Sequence, residues 1–223
     1  MPRTIAIGDI HGCAKALHAL LNTIRPKPND TLIGLGDYVD RGPESSAVIE
    51  MLIELVSYCK FVPLIGNHEI MLYKAIQGTK RDFDFWYQHG GDTTLASYRG
   101  NIKRIPQHHL TFFSYCLRYH ETDSHFFVHA NYDEYLPLAE QEDSVLFWKH
   151  VGEYPPRPHE NGKIAVVGHT PQYDGEILDL GHIKAIDTFC YGGQWLTALD
   201  VDTGQVWQAN NEGQCRTDEL VRD

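Results

Sequence analysis

The chain has 223 residues, 42% apolar and 22% charged, the composition of a protein that buries a real core. Its formal net charge of −11 argues against nucleic acid as a partner, because surfaces that track a phosphate backbone are basic. No apolar run is long enough for a signal peptide or a membrane span, and the five cysteines form no C-x-x-C pair, so a cytoplasmic protein with no membrane partner is expected. The length fits one domain over residues 1–223.

Thr4–Ile7 is a short apolar run that stops at Gly8-Asp9. Next, Ala14–Ile24 places Leu17, Leu20, Leu21 and Ile24 on one helical stripe. A second run, 31–35, stops at Gly36-Asp37; a second helical pattern, 45–56, follows Pro43, which suits a first turn. A third run, 61–65, stops at Gly66-Asn67. The aromatic stretch 81–119 reads as helical, with Phe83, Phe85, Trp86 and Tyr87 as core. Run 126–128 ends at His129, and Ile164–Val167 ends at Gly168-His169. Pro155-Pro156-Arg157-Pro158 reads as a surface loop, and 181–208 as antiparallel strands turning at Asp202-Thr203-Gly204.

Continuous apolar runs alternating with helices imply an α/β fold with buried, largely parallel strands. Sites in such sheets lie at the carboxyl ends of strands. Those ends carry Asp9, His11, Asp37, Asn67, His129 and His169, a carboxylate, imidazole and carboxamide set suited to divalent first-row metals. A single Gly-Asp after a strand is usually only a turn. Five strand ends that all present a ligand type point instead to two metals sharing a carboxylate and clamping a phosphate.

Gly8-Asp9-Ile10-His11-Gly12, Gly36-Asp37-Tyr38-Val39-Asp40-Arg41-Gly42 and Gly66-Asn67-His68-Glu69 resemble the three signatures of the phosphoprotein phosphatase family, within the calcineurin-like metallophosphoesterases. His129-Ala130 and Gly168-His169-Thr170 resemble its two later histidine motifs, and the compact bacterial and phage members look most alike. The resemblance implies two mixed β-sheets flanked by helices. It implies one metal on Asp9, His11 and Asp37, and a second on Asp37, Asn67, His129 and His169. It further implies His68 as proton donor, oriented by Asp40, with Arg41 and Asn67 contacting phosphate. Manganese is the expected metal, with iron or zinc as alternatives.

The family's second phosphate-binding arginine is missing: Trp148-Lys149-His150 stands in its neighbourhood, and Arg157 is the nearest substitute. The family's Asp-Thr-Gly appears as Asp187-Thr188-Phe189. Two substrate classes compete, a phosphorylated serine or threonine protein (or a small phosphoester) and a symmetrically cleaved dinucleoside polyphosphate. Asp40 and Glu69 favour the protein phosphatase, because the dinucleotide enzymes tend to lack the former and to carry aspartate for the latter. Glu69 itself reads as an acid in the first turn of the next helix.

Overall fold

Three strands in parallel register begin the fold in the computed structural model, which describes residues 2–152 and 154–220. They are β1 (Thr4–Ile7), β2 (Thr31–Gly34) and β3 (Lys60–Pro63), joined through α1 (Ala14–Ile24) and α2 (Ser45–Tyr58). Four helices follow: α3 (Asn67–Gln77), α4 (Lys80–Trp86), α5 (Asp92–Ser97) and α6 (Gln107–Ser114). A π turn, Tyr87–Gly91, links α4 to α5. Thr79 and Asp82 start α4 as a reciprocal cap, the Asp82 carboxylate accepting from the Thr79 N–H at 2.8 Å.

The second half supplies β4 (Tyr119–Glu121), β5 (His125–Val128), α7 (Asp143–Trp148), β6 (Ile164–Val167), β7 (Leu178–Asp179) and β8 (Ile183–Ala185). The chain then returns to the first sheet with β9 (Leu196–Asp200), β10 (Gln205–Ala209) and β11 (Cys215–Glu219). One mixed sheet has the order β11-β10-β9-β1-β2-β3, the other β4-β5-β6-β8-β7. In the first sheet the parallel strands β1, β2 and β3 form one side and the antiparallel β9, β10 and β11 the other; in the second, a parallel centre is edged by antiparallel strands.

Strand alternation explains why the central runs are apolar throughout. Ala6, Ile33 and Val62 face Phe127, Val166 and Ile186 between the sheets. Ile5, Ile7 and Leu32 point the other way, against Leu17 and Leu20 of α1 and Leu52 of α2. Phe126, Val128, Ala165 and Val167 pack outward on Leu146 and Phe147 of α7. Two of the expected runs outlast their strands, because Leu35 and Leu64 leave the ladder yet stay buried between the sheets. Among the described residues no helix is long and apolar enough to cross a membrane.

Phe127 is fully buried at the sheet–sheet interface. Phe127→Ala is expected to cost about 3–5 kcal/mol, the usual range for emptying a core phenylalanine site. Urea unfolding checks this, and a loss below about 1 kcal/mol would mean that the sheets are not packed through this ring.

Candidate metal centre

The loops after β1, β2, β3, β5, β6 and β8 meet at one end of the two sheets. Their backbone is strained there. Among the described residues eight other than glycine have positive φ, and His11, Asp37, Asp40, Arg41, His169 and Phe189 all lie in these loops. Such conformations cost of order 1–3 kcal/mol each, and they persist only where surroundings enforce them. The other two, Arg25 and Arg99, lie just past the ends of α1 and α5.

Glu69 does much of the enforcing. Its buried carboxylate accepts N–H groups from Asp37 at 2.8 Å, Tyr38 at 2.8 Å, Val39 at 3.3 Å and Gly66 at 2.9 Å. Burial and the Asp37 charge push this carboxyl up to about 8, against four donors that favour its ionised form. Glu69 does start the helix as expected, but it also ties the loop after β2 to the loop after β3. Gly66 permits that closeness, since a Cβ there would lie 2.2 Å from Asp37 Oδ1.

Each histidine is turned by a carbonyl. His11 Nδ1 donates to Val39 O at 2.9 Å, and His129 Nδ1 donates to Leu35 O at 2.7 Å. His169 Nε2 donates to Trp148 O at 3.2 Å. The other ring nitrogen of each therefore presents a lone pair to the centre. His129 Nε2 and His169 Nδ1 both face Asn67 Oδ1 at 3.0 Å, and His129 Nε2 lies 3.4 Å from Asp37 Oδ1. On the other side, His11 Nε2 lies 3.4 Å from Asp37 Oδ2. Burial lowers the pKa of His11 and His129, and burial with the neighbouring His129 takes His169 down to about 3. Neutral imidazoles, a carboxamide oxygen and a carboxylate thus converge lone pair to lone pair, an arrangement that a divalent cation completes.

Two groups of ligand atoms result, each within 4.8 Å: His11, Asp37 and His68, and Asp37, His129 and His169. Asp37 is common to both. Burial opposes its charge, but His129, His68 and His11 hold its carboxyl well below the usual carboxylate range. Asp9 stands outside both compact groups, accepting the His169 N–H at 3.0 Å, with Gly168 packed against it. Burial, then Asp187 and Asp37, push the Asp9 carboxyl well up, while burial and the Asp37 charge help carry Asp187 to about 7. Three carboxylates that repel one another, and an unpartnered Asp187 Oδ2, are a second sign that this cluster is built for cations. The cluster is compatible with two divalent metals.

His68 is held differently. Its Nδ1 donates to Asp40 Oδ2 at 2.8 Å, and its Nε2 is buried without a partner, 3.9 Å from Asp37 Oδ2. Burial works against its charged form, yet Asp37 and Asp40 raise its pKa. Asp40 is itself fixed, by Trp86 Nε1 at 3.0 Å and Thr94 Oγ1 at 2.7 Å. Arg41 Nη1 reaches His11 Nε2 at 3.0 Å, and its guanidinium stacks 4.7 Å from the Tyr191 ring centroid. The π turn supports Arg41, whose N–H donates to Gly90 O at 3.0 Å.

Sequence reasoning placed Trp86 in the core, which is right, but missed its indole N–H as a clamp on Asp40. It gave Thr94 no role, and nothing local marks that residue. Asp187 had a signal, an acid two residues past the end of β8. His89 is exposed, and its Nδ1 donates to Phe85 O at 2.6 Å, away from the centre. His150 stacks on His169 at 4.5 Å, whereas Arg157 is exposed in the proline-rich loop.

A family model described as calcineurin-like phosphoesterase matches residues 2–203. An asymmetrical bis(5'-nucleosyl)-tetraphosphatase of Oceanobacillus iheyensis is 30% identical over 220 residues, 86% of each chain. A symmetrical bis(5'-nucleosyl)-tetraphosphatase of Acidovorax ebreus is 47% identical over 76 residues, covering 34% of this chain and only 26% of that protein. A crystal structure with a provisional diadenosine tetraphosphatase assignment shares the fold, with a TM-score of 0.67 at 21% identity, covering 100% of this chain and 97% of the other.

These relatives overturn the protein-phosphatase expectation, and with it the phosphoprotein partner and the special likeness to phage enzymes. The physical reason lies in the two residues used to discriminate. Asp40 orients His68, and Glu69 holds backbone N–H groups. Both contacts lie inside the strand-end cluster, so neither reads what a phosphate is attached to.

Trp86→Phe keeps the packing but removes one donor from Asp40. Loss of such a supporting partner typically lowers activity about 10–100-fold. Steady-state kcat is expected to fall within that range with KM little changed, and an unchanged kcat would remove Trp86 from the orientation of His68.

Proposed function

The chain belongs to the calcineurin-like phosphoesterases, and from that premise we propose that it hydrolyses bis(5'-nucleosyl) tetraphosphates. The observation that carries this reading is the likeness to the Oceanobacillus enzyme along 86% of both chains. The symmetrical relative is matched over 26% of its length, so the asymmetrical cut, into a nucleoside monophosphate and a nucleoside triphosphate, is the one we infer.

We assign Asp9, His11 and Asp37 to one cation and Asp37, Asn67, His129 and His169 to the other, with manganese as the proposed ion. When bound, the two cations supply Lewis-acid activation of the phosphoryl group and of the attacking water. The remaining chemistry belongs to side chains. Arg41 offers a planar guanidinium, able to hold two phosphate oxygens at once. Asn67 keeps its amide N–H₂ for a phosphate oxygen while its Oδ1 faces the histidines. His68 delivers a proton from Nε2 to the departing oxygen, and Asp40 keeps the ring aimed and favours its charged form.

That assignment separates substrates by their leaving groups. An alkoxide leaves poorly without a proton, whereas a nucleotide phosphate is a far weaker base. His68→Asn is expected to lower kcat on an alkyl phosphoester about 10²–10⁴-fold, with a smaller loss on diadenosine tetraphosphate and both metals retained. Equal losses on the two substrates would remove His68 as the proton donor. Chromatography of the products tests the reaction itself: AMP and ATP support the proposal, two ADP place the cut at the centre, and no turnover of the dinucleotide overturns it.

A further inference from the structure

Phe189 is a bulky residue in a conformation that suits glycine, at φ 59° and ψ 42°. It stands where the phosphatase pattern in this stretch has glycine, so the chain carries strain that the simpler residue would avoid. Something must be gained by placing a ring there. The ring lies over Gly192, where a Cβ would come within 2.0 Å of Phe189 Cε1. Its position is tied to the metal cluster, because its N–H donates to Asp187 Oδ1 at 3.1 Å.

From Phe189 an aromatic series runs in both directions. Inward, its centroid is 4.8 Å from that of Tyr191, which lies 4.9 Å from His11 and carries the Arg41 guanidinium at 4.7 Å. Outward, it is 4.8 Å from Tyr173, a residue 70% exposed. A single exposed aromatic is ordinary, but this one continues a series that begins at a metal-type histidine. The series therefore leads from where phosphate would be held to the rim of the site. Successive rings meet edge to face, at interplanar angles of 82° for His11–Tyr191, 71° for Tyr191–Phe189 and 76° for Phe189–Tyr173, so a base can lie against the face of one ring and the edge of the next; with a charged group beside Arg41 and a flat base further out, this matches a nucleoside 5'-phosphate.

We propose that Phe189 and Tyr173 form a nucleobase platform, with Tyr191 holding Arg41 at its inner end. The platform rests on the nucleotide reading given above. It stacks on any base, because every base has a π-face, and so adenine and guanine nucleotides bind alike.

The test compares AMP with ribose 5-phosphate as competitive inhibitors of p-nitrophenyl phosphate hydrolysis by the manganese-loaded enzyme. The two inhibitors share the sugar phosphate and differ only in the base. Stacking on an aromatic platform gives AMP an advantage of about tenfold or more in Ki. Phe189→Gly relieves the positive φ, and Tyr173→Ala alters an exposed ring, so each variant is expected to fold. Either change should shrink the AMP advantage, and both together should bring it to about one, through weaker AMP binding. Equal inhibition by the two compounds in the unaltered enzyme overturns the platform, as does an advantage that survives both substitutions. Because these inhibition constants do not depend on dinucleotide turnover, the platform and the proposed reaction can fail separately.

Discussion

Four backbone N–H groups donate to the Glu69 carboxylate, and two strand-end loops depend on that one acceptor. Burying a carboxylate is costly unless hydrogen bonds replace its water. Here the donors come from both loops, so the bonds that offset the burial also fix the spacing between Asp37 and Asn67. Asp37 has positive φ, a shape it would not hold alone. Once it is fixed, its two oxygens face His11 on one side and His129 on the other. The placement of the Asp37 carboxylate thus follows from a clamp that holds its backbone rather than its side chain.

The same logic recurs around His68. The imidazole is aimed by Asp40, and Asp40 by Trp86 and Thr94 from the far side of the π turn. Those partners sit 46 and 54 positions from Asp40 in the chain. The helical middle of the molecule therefore packs more than core. It holds the proposed proton donor, His68, and, through Gly90, Arg41.

Much of this was legible in the sequence because strand ends are local features. Each apolar run stops just before a polar strand-end side chain, so Asp9, His11, Asp37, Asn67, His129 and His169 stand out as candidates in the sequence, and the fold brings them to one end of the sheets. The grouping was less legible: Asp9 lies outside the compact group in which His68 stands with His11 and Asp37. The buried supports were hidden for a different reason. Thr94 and Trp86 are ordinary core-compatible residues, and their roles come from contacts distant in sequence. Glu69 was read through its helix position, which said nothing about Asp37 and Tyr38. The substrate class was misjudged because the motifs encode phosphorus chemistry, while the leaving group is recognised elsewhere.

In the proposed centre one carboxylate, Asp37, serves two cations. Metal analysis by mass spectrometry of the purified chain, reconstituted with manganese, tests it most directly when paired with Asp37→Asn. Two ions per chain are expected in the unaltered protein and fewer than one in the variant, because both groups would lose the carboxylate they share. A single ion in the unaltered protein, or two retained in the variant, would contradict that sharing.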